Sequence, residues 1–135
     1  LLHDIDYDRT KDSPETHSIE GAEMLKNLGL PEDIVYAVKV HNDRHGLPRR
    51  SLMDKALYAT DPLTGFIVAG ALIRPEKKLA AVDVPFLMKR FNEKAFARGA
   101  NRETMKSCTE LGLSLEEFME LGLEAMQGIA EELRL

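Results

Sequence analysis

The residues best suited to chemistry in this chain are histidines and aspartates, beginning with the adjacent pair His3-Asp4. This pair closes a short apolar segment, and both side chains are metal-ligand types. Farther along, His17 and His41 lie on the apolar stripes of segments with helical periodicity, and Asp61 interrupts a largely apolar stretch. A carboxylate in apolar surroundings needs a cation, a metal or several hydrogen bonds. The pattern therefore predicts a metal site built from imidazole and carboxylate groups.

Each of these residues also has an ordinary structural role available. A single histidine on an apolar helix face is commonly a hydrogen-bonded core or surface residue, and Asp61 can cap the chain where Pro62 interrupts the helical pattern. The set as a whole favours a metal, because separate segments would each direct a nitrogen or oxygen ligand at one interior. Without a thiolate, the set suits iron, manganese, cobalt, nickel or zinc rather than a structural zinc–thiolate site. One or two divalent ions fit these donors, with Asp4 as the bridge.

The elements that must position these ligands are helices. Proline and glycine divide the chain into segments with a helical apolar period, and no alternating pattern persists long enough for a strand. We expect residues 1–4 to end a helix, residues 5–14 and 42–50 to be loops, and helices to cover 15–28, 31–41, 51–73, 85–98, 101–111 and the chain from 114 onward. Pro62 predicts a kink or a break in the long helix. The predicted fold class is all-α, a helical bundle in one domain over 1–135, with residues 1–80 bearing the site and 81–135 supporting it.

Composition sets limits on partners and location. A net charge of −5 would repel nucleic acids and anionic membranes, so we expect neither a nucleic-acid polymer nor a membrane as a partner. No apolar run approaches the length of a membrane span, and no signal-peptide pattern is present. The single cysteine, Cys108, excludes an internal disulfide and fits a cytoplasmic location, where it would pack as a small apolar residue. The apolar final helix suits either a core or a homo-oligomer interface.

Four stretches together resemble the HD-domain superfamily of metal-dependent phosphohydrolases. They follow one another through residues 1–73 in a helical background: Leu2-His3-Asp4-Ile5, His17 with Gly21-Ala22-Glu23, Val40-His41-Asn42, and Thr60-Asp61. The resemblance implies an HD-like bundle in which one metal is bound by His3, Asp4 and Asp61. It also implies a second metal bound by His17 and His41. A further histidine of the family pattern is expected on a helix before Leu1, so we expect the chain to continue on that side.

This resemblance predicts an enzyme that hydrolyses phosphoester bonds with metal-activated water, acting on a nucleotide or another small phosphorylated molecule. Asp4 would be the central catalytic ligand. Many members follow His-Asp with a glycine and a basic residue, whereas the run here is Ile5-Asp6-Tyr7-Asp8. Lys11 is the candidate replacement for the catalytic cation that faces the phosphate. Guanidinium forks suit the binding of substrate phosphate, and the candidates beside Lys11 are Arg9, Arg44, Arg49 and Arg50.

Two other functions share these residue types. The same ligands in an HD-type fold can hold two irons that activate dioxygen, which would make the protein an oxygenase. A chain without the first histidine of the family pattern can instead be a helical regulatory module with no catalysis. Metal content, phosphoester hydrolysis and oxygen consumption are the measurements that separate these functions.

Overall fold

The structure, a computed structural model, describes residues 2–135 and contains helices, turns and no strand within them. This confirms the all-α fold class. The α-helices are α1 Tyr7–Thr10, α2 Ile19–Asn27, α3 Glu32–Val40, α4 Leu52–Ile73, α5 Val84–Phe91, α6 Arg102–Lys106, α7 Leu115–Gly128 and α8 Ala130–Leu133. Short 3-10 helices occupy Asp43–His45, Leu79–Ala81 and Ser107–Leu111.

Helix boundaries follow the capping signals of the sequence in several places. Gly29, with a φ of 78°, ends α2 in the left-handed conformation that glycine adopts easily. At the start of α4, Ser51 and Asp54 form a capping box in which each side chain accepts a hydrogen bond from the other's backbone N–H. Ser114 and Glu117 form the same arrangement at the start of α7. These predicted helix ends are confirmed.

The segment before α2 differs from the prediction. Residues 3–6 form turns instead of the end of a helix, and Leu1 lies outside the described residues. Helix α1 occupies part of the predicted loop 5–14. Helix α2 begins at Ile19 because the backbone of Ser18 is left-handed, with a φ of 69°, a conformation that a right-handed helix cannot contain. His17 therefore precedes its helix rather than lying on it.

The chain divides into two compact units, of which the first is Leu1–Tyr58. In this unit α2 and α3 pack against each other over a small apolar core. Its buried members are Ala22, Leu25, Val35 and Val38. His17 lies just before α2 and His41 directly follows α3, so the packing of α2 on α3 sets the spacing of these two histidines.

The second unit is Ala59–Leu135, and its core is built on the larger part of α4. The fully buried side chains include Leu63, Phe66, Leu87, Met105 and Met119. Cys108 is buried in this core, and burial raises the pKa of its thiol, which keeps the thiol protonated. It packs as the small apolar residue that the sequence predicted.

Helix α4 bears on two expectations. It is continuous through Pro62, so no break occurs there, and a kink at this proline stays a prediction. It is also long and apolar enough to cross a membrane by length and composition, so the expectation that no apolar run approaches that length is wrong. The same properties suit a core helix, and several of its side chains are buried within the second unit; among them are Leu63, Phe66 and Ile67.

Candidate metal centre

Asp4, His17 and His41 converge in the first unit, where one ligand atom of each lies within 4.8 Å of the others. His17 Nε2 is 3.3 Å from Asp4 Oδ1, and His41 Nε2 is 3.8 Å from the same oxygen. His3 approaches the other carboxylate oxygen, with its Nε2 3.3 Å from Asp4 Oδ2. Asp4 is thus the common neighbour of three imidazoles that come from separate parts of the first unit.

Different local structures carry the ligands. Asp4 lies in the turns before α1, His17 is separated from the start of α2 by Ser18, and His41 follows the last residue of α3. The rings of His17 and His41 are nearly perpendicular, with centroids 5.3 Å apart, and the rings of His3 and His41 are arranged in the same way. Perpendicular rings allow several imidazole nitrogens to face one point without stacking on one another.

The orientation of His41 is set by its own helix. Its side chain is buried, and its Nδ1 is 2.6 Å from the Val38 carbonyl oxygen. A carbonyl can only accept, so Nδ1 carries a proton, and in the neutral ring the Nε2 lone pair lies on the side of Asp4. Metal-binding histidines commonly donate their second ring N–H to a carbonyl or a carboxylate in this way.

The backbone of His17 is held by the predicted loop 42–50. The His17 carbonyl accepts hydrogen bonds from Asn42 Nδ2 at 3.2 Å and from His45 Nε2 at 2.7 Å. Asn42 also accepts a hydrogen bond from the Arg44 amide at 3.1 Å through its side-chain oxygen. Sequence reasoning did not identify this clamp, because nothing in residues 42–50 alone shows that they meet residue 17.

Asp6 is the other residue that sequence reasoning missed. It is completely buried, and its Oδ2 accepts hydrogen bonds from the backbone amides of Ser18 at 2.8 Å and Gly21 at 2.9 Å. Its Oδ1 lies 3.1 Å from His17 Nδ1. The sequence shows Asp6 only as a departure from the glycine that many members have after His-Asp.

Asp61 lies in the second unit, at an exposed position within α4. The alternative role for it, a cap at a break beside Pro62, is wrong because the helix is continuous there. Its assignment as a metal ligand stays a prediction.

The predicted substrate-binding cations all lie in the first unit. Arg9, Lys11 and Arg44 are exposed. The Arg49 guanidinium lies 3.8 Å from the centre of the Tyr58 ring, with its Nη1 3.9 Å from Asp43 Oδ1. Arg50 is exposed, and its guanidinium lies 4.8 Å from the centre of the Tyr36 ring. Contact of these groups with substrate, and catalysis by Lys11, stay predictions.

The donor set fits a divalent transition metal. Mixed imidazole and carboxylate ligands are typical of such ions. Ligand atoms that each lie about 2.1 Å from one ion are separated by roughly 3 to 3.5 Å, and the 3.3 Å between Asp4 Oδ1 and His17 Nε2 lies in that range. His41 Nε2, at 3.8 Å from the same oxygen, needs only a small shift.

The fold and the cluster together are those of an all-α protein with a candidate metal site. The HD domain family model matches residues 1–81, which is more than half of the chain, and the chain belongs to this family. HD domains bind divalent metals and are in general hydrolases of the metal-dependent phosphohydrolase superfamily.

Three bacterial proteins named Ribonuclease Y are similar to parts of this chain. The one from Desulfotalea psychrophila is 34% identical over 65 residues, which are 48% of this chain and 12% of that protein. The one from Lawsonia intracellularis is 35% identical over 65 residues, with the same shares of 48% and 12%. The one from Mycoplasma genitalium is 38% identical over 45 residues, 33% of this chain and 9% of that protein. The matches thus span only about a tenth of these relatives, and no solved structure matches significantly.

These relatives overturn the expectation that no nucleic-acid polymer is a partner, because their name designates an enzyme that acts on RNA. The expectation rested on the net charge of −5. Net charge describes the field far from a protein, and salt screens that field beyond about 10 Å. A phosphate that enters a metal site meets the local cations instead, so the overall charge does not exclude RNA.

Proposed function

We propose that this chain hydrolyses phosphoester bonds with one or two divalent transition metals held by Asp4, His17 and His41, with His3 and Asp61 as further ligands. The observation that supports this most directly is the approach of two imidazole Nε2 atoms to the same Asp4 oxygen. When bound, such an ion lowers the pKa of a water ligand and neutralises charge on phosphoryl oxygens.

The exposure of the ligands suits an open site. The side chain of His41 is only 3% exposed, whereas that of Asp4 is 47% exposed. His41 forms a fixed inner wall because its ring is held by Val38. Asp4 is the ligand that both solvent and substrate can reach. A catalytic metal site needs such an open side, whereas a structural site is closed by protein ligands.

We include the phosphodiester bonds of RNA among the substrates, beside the nucleotides that the resemblance implies. The name of the relatives supports RNA, although they match less than half of this chain. Arg44 gives local support because it is exposed and adjacent to His45, whose Nε2 donates to the His17 carbonyl. A cation at that place can contact a phosphate next to the one that is cleaved.

The test is a set of hydrolysis assays on metal-free protein loaded in turn with Mn²⁺, Co²⁺, Ni²⁺, Zn²⁺ and, without air, Fe²⁺. The substrates are bis-p-nitrophenyl phosphate, a nucleotide panel and a short labelled RNA. We expect activity that is lost with a chelator, returns with the metal and is absent from Asp4→Ala. Asp8→Ala, at an exposed position on α1, is the matched control and should keep the activity.

Other outcomes identify the competing functions. Oxygen uptake by the iron-loaded protein without phosphoester hydrolysis would make it an oxygenase. A protein that binds none of these metals and cleaves none of the substrates would be a regulatory module. Either result would overturn the proposal.

A further inference from the structure

We infer that Asp6 is a positioning residue that keeps the proton of His17 on Nδ1, so that Nε2 presents its lone pair to the metal site. The inference rests on the proposed metal-binding function. Its basis is the set of contacts around the completely buried Asp6 side chain. These contacts use the two oxygens of the carboxylate for two separate tasks.

The first task fixes the carboxylate in place. Its Oδ2 accepts hydrogen bonds from the backbone amides of Ser18 and Gly21, at 2.8 Å and 2.9 Å. These amides belong to the start of α2, where the Ser18 side chain makes no cap of its own. Asp6 therefore supplies the cap from another segment of the chain, and its Oδ1 is left facing His17.

The second task concerns His17 Nδ1, which has two oxygen neighbours. Thr10 Oγ1, 3.3 Å away, is in hydrogen-bond geometry with Nδ1. Asp6 Oδ1 is 3.1 Å away, within ion-pair distance but outside hydrogen-bond geometry, and it is a buried oxygen with no hydrogen-bond partner. The Thr10 hydroxyl donates its own proton to the Asp6 carbonyl at 3.0 Å, so it offers His17 a lone pair. Both neighbours of Nδ1 are therefore acceptors, and they favour a ring with its proton on Nδ1. In the neutral ring Nε2 is then unprotonated, and its lone pair and Asp4 Oδ1, 3.3 Å away, can bind one metal ion between them.

His17 and His41 thus both carry a proton on Nδ1, but different acceptors face that proton. His41 donates its Nδ1 proton to the carbonyl of Val38, in its own helix. His17 lies outside its helix and has no such carbonyl, because the left-handed Ser18 separates it from α2. Asp6 takes the place of that carbonyl. Carboxylate partners of this kind typically change metal affinity by about 10- to 100-fold when they are mutated.

Asp6→Asn separates the two tasks. The asparagine oxygen can still accept from the Ser18 and Gly21 amides, while its NH2 group now faces His17 Nδ1 as a donor. The neutral ring must then carry its proton on Nε2, where it blocks a metal. Asp6→Ala removes both tasks, and Asp8→Asn, at an exposed position, is the matched control.

The experiment combines three measurements: Mn²⁺ and Co²⁺ affinity by calorimetry, thermal melting by circular dichroism, and the tautomer of the metal-free His17 ring by ¹⁵N–¹H NMR. For Asp6→Asn we expect metal affinity to fall about 10- to 100-fold, the tautomer to move to Nε2–H, and the helix content to stay. Asp6→Ala should in addition melt at a lower temperature, and Asp8→Asn should match the wild type. Thr10→Val, which removes the second acceptor, should lose less affinity than Asp6→Asn.

The results distinguish this inference from the proposed function. If the wild type binds the metals and Asp6→Asn binds them equally well, the positioning role is wrong and the metal site remains. If Asp6→Asn melts as early as Asp6→Ala and its tautomer is unchanged, Asp6 is only a helix cap. If the wild type binds no metal, the proposed function fails, and the NMR measurement still decides which nitrogen of His17 carries the proton beside Asp6.

Discussion

Gly21 and Asp6 are so close that a Cβ on residue 21 would press against the Asp6 carboxylate more tightly than an ordinary van der Waals contact. The Gly21 amide donates to Asp6 Oδ2 at 2.9 Å, and a Cβ on Gly21 would lie 3.1 Å from Asp6 Cγ. The carboxylate cannot easily retreat, because it is also held by Ser18 and faces His17. A methyl group at residue 21 would therefore push the carboxylate that orients a metal ligand.

Gly21→Ala should accordingly destabilise the protein by about 1–3 kcal/mol and weaken metal binding several-fold. The matched control is Gly65→Ala, within α4, where a Cβ would meet no atom within 4 Å. There alanine should stabilise the helix by about 0.5–1 kcal/mol. Urea denaturation of both variants gives the comparison. If Gly21→Ala and Gly65→Ala stabilise the protein equally, the contact of residue 21 with Asp6 imposes no steric cost on a methyl group.

Asp4→Ala should abolish metal binding with almost no effect on folding. The Asp4 side chain is 47% exposed, and substitutions at such positions usually change stability by less than about 0.5 kcal/mol. Metal content after dialysis against Mn²⁺ measures the first effect, and circular dichroism measures the second. Asp8→Ala should keep its metal. A variant Asp4→Ala with full metal content would mean that the cluster is not a metal site.

Whether a contact could be predicted from the sequence depends on how many residues separate its two partners along the chain. The capping pairs Ser51 with Asp54 and Ser114 with Glu117 are three residues apart, so local chemistry identifies them. Asp6 meets amides 12 and 15 residues away, and only the packed structure brings them together. The apolar stripes indicated the helices that position the histidines, but not which carboxylate would hold each ring.

Backbone conformation is the second reason why the sequence did not predict the whole site. The helical period around His17 extends past Ser18, so the sequence predicted one helix from residue 15. The structure has a left-handed Ser18, which costs free energy for a residue with a Cβ. The tertiary bonds that compensate are donated by Ser18, from its amide to Asp6 and from its hydroxyl to the Lys39 carbonyl at 3.1 Å. No local sequence pattern predicts that tertiary hydrogen bonds will offset the free-energy cost of a left-handed residue.

That conformation gives a prediction for Ser18. Ser18→Gly and Ser18→Ala both lose the hydroxyl bond to Lys39, so their difference isolates the cost of the positive φ of 69°. Ser18→Gly should be more stable than Ser18→Ala by about 1 kcal/mol. Urea denaturation of the pair measures this difference. A more stable alanine variant would contradict the left-handed backbone at this position.

The ionisation of Asp54 makes the stability of the first unit depend on pH. Its carboxylate is buried, and burial alone would raise its pKa. The hydrogen bonds from the Ser51 and Arg50 amides and the Ser51 hydroxyl, together with the charge of Arg50, outweigh burial and hold the pKa below the ordinary 3.8. Because the folded pKa is the lower one, the unfolded chain binds the proton first as the pH falls.

The contribution of Asp54 to stability should therefore be complete above pH 3.8 and be lost as the pH falls through the lowered pKa. Asp54→Asn cannot titrate, and at neutral pH it should be less stable than the wild type by about 1 kcal/mol. Urea denaturation of the two proteins from about pH 6 to about pH 2 should show this difference shrinking in acid. Asp8→Asn, at an exposed position, is the control. A difference between wild type and Asp54→Asn that stays constant with pH would mean that the pKa of Asp54 is the same in the folded and unfolded chains.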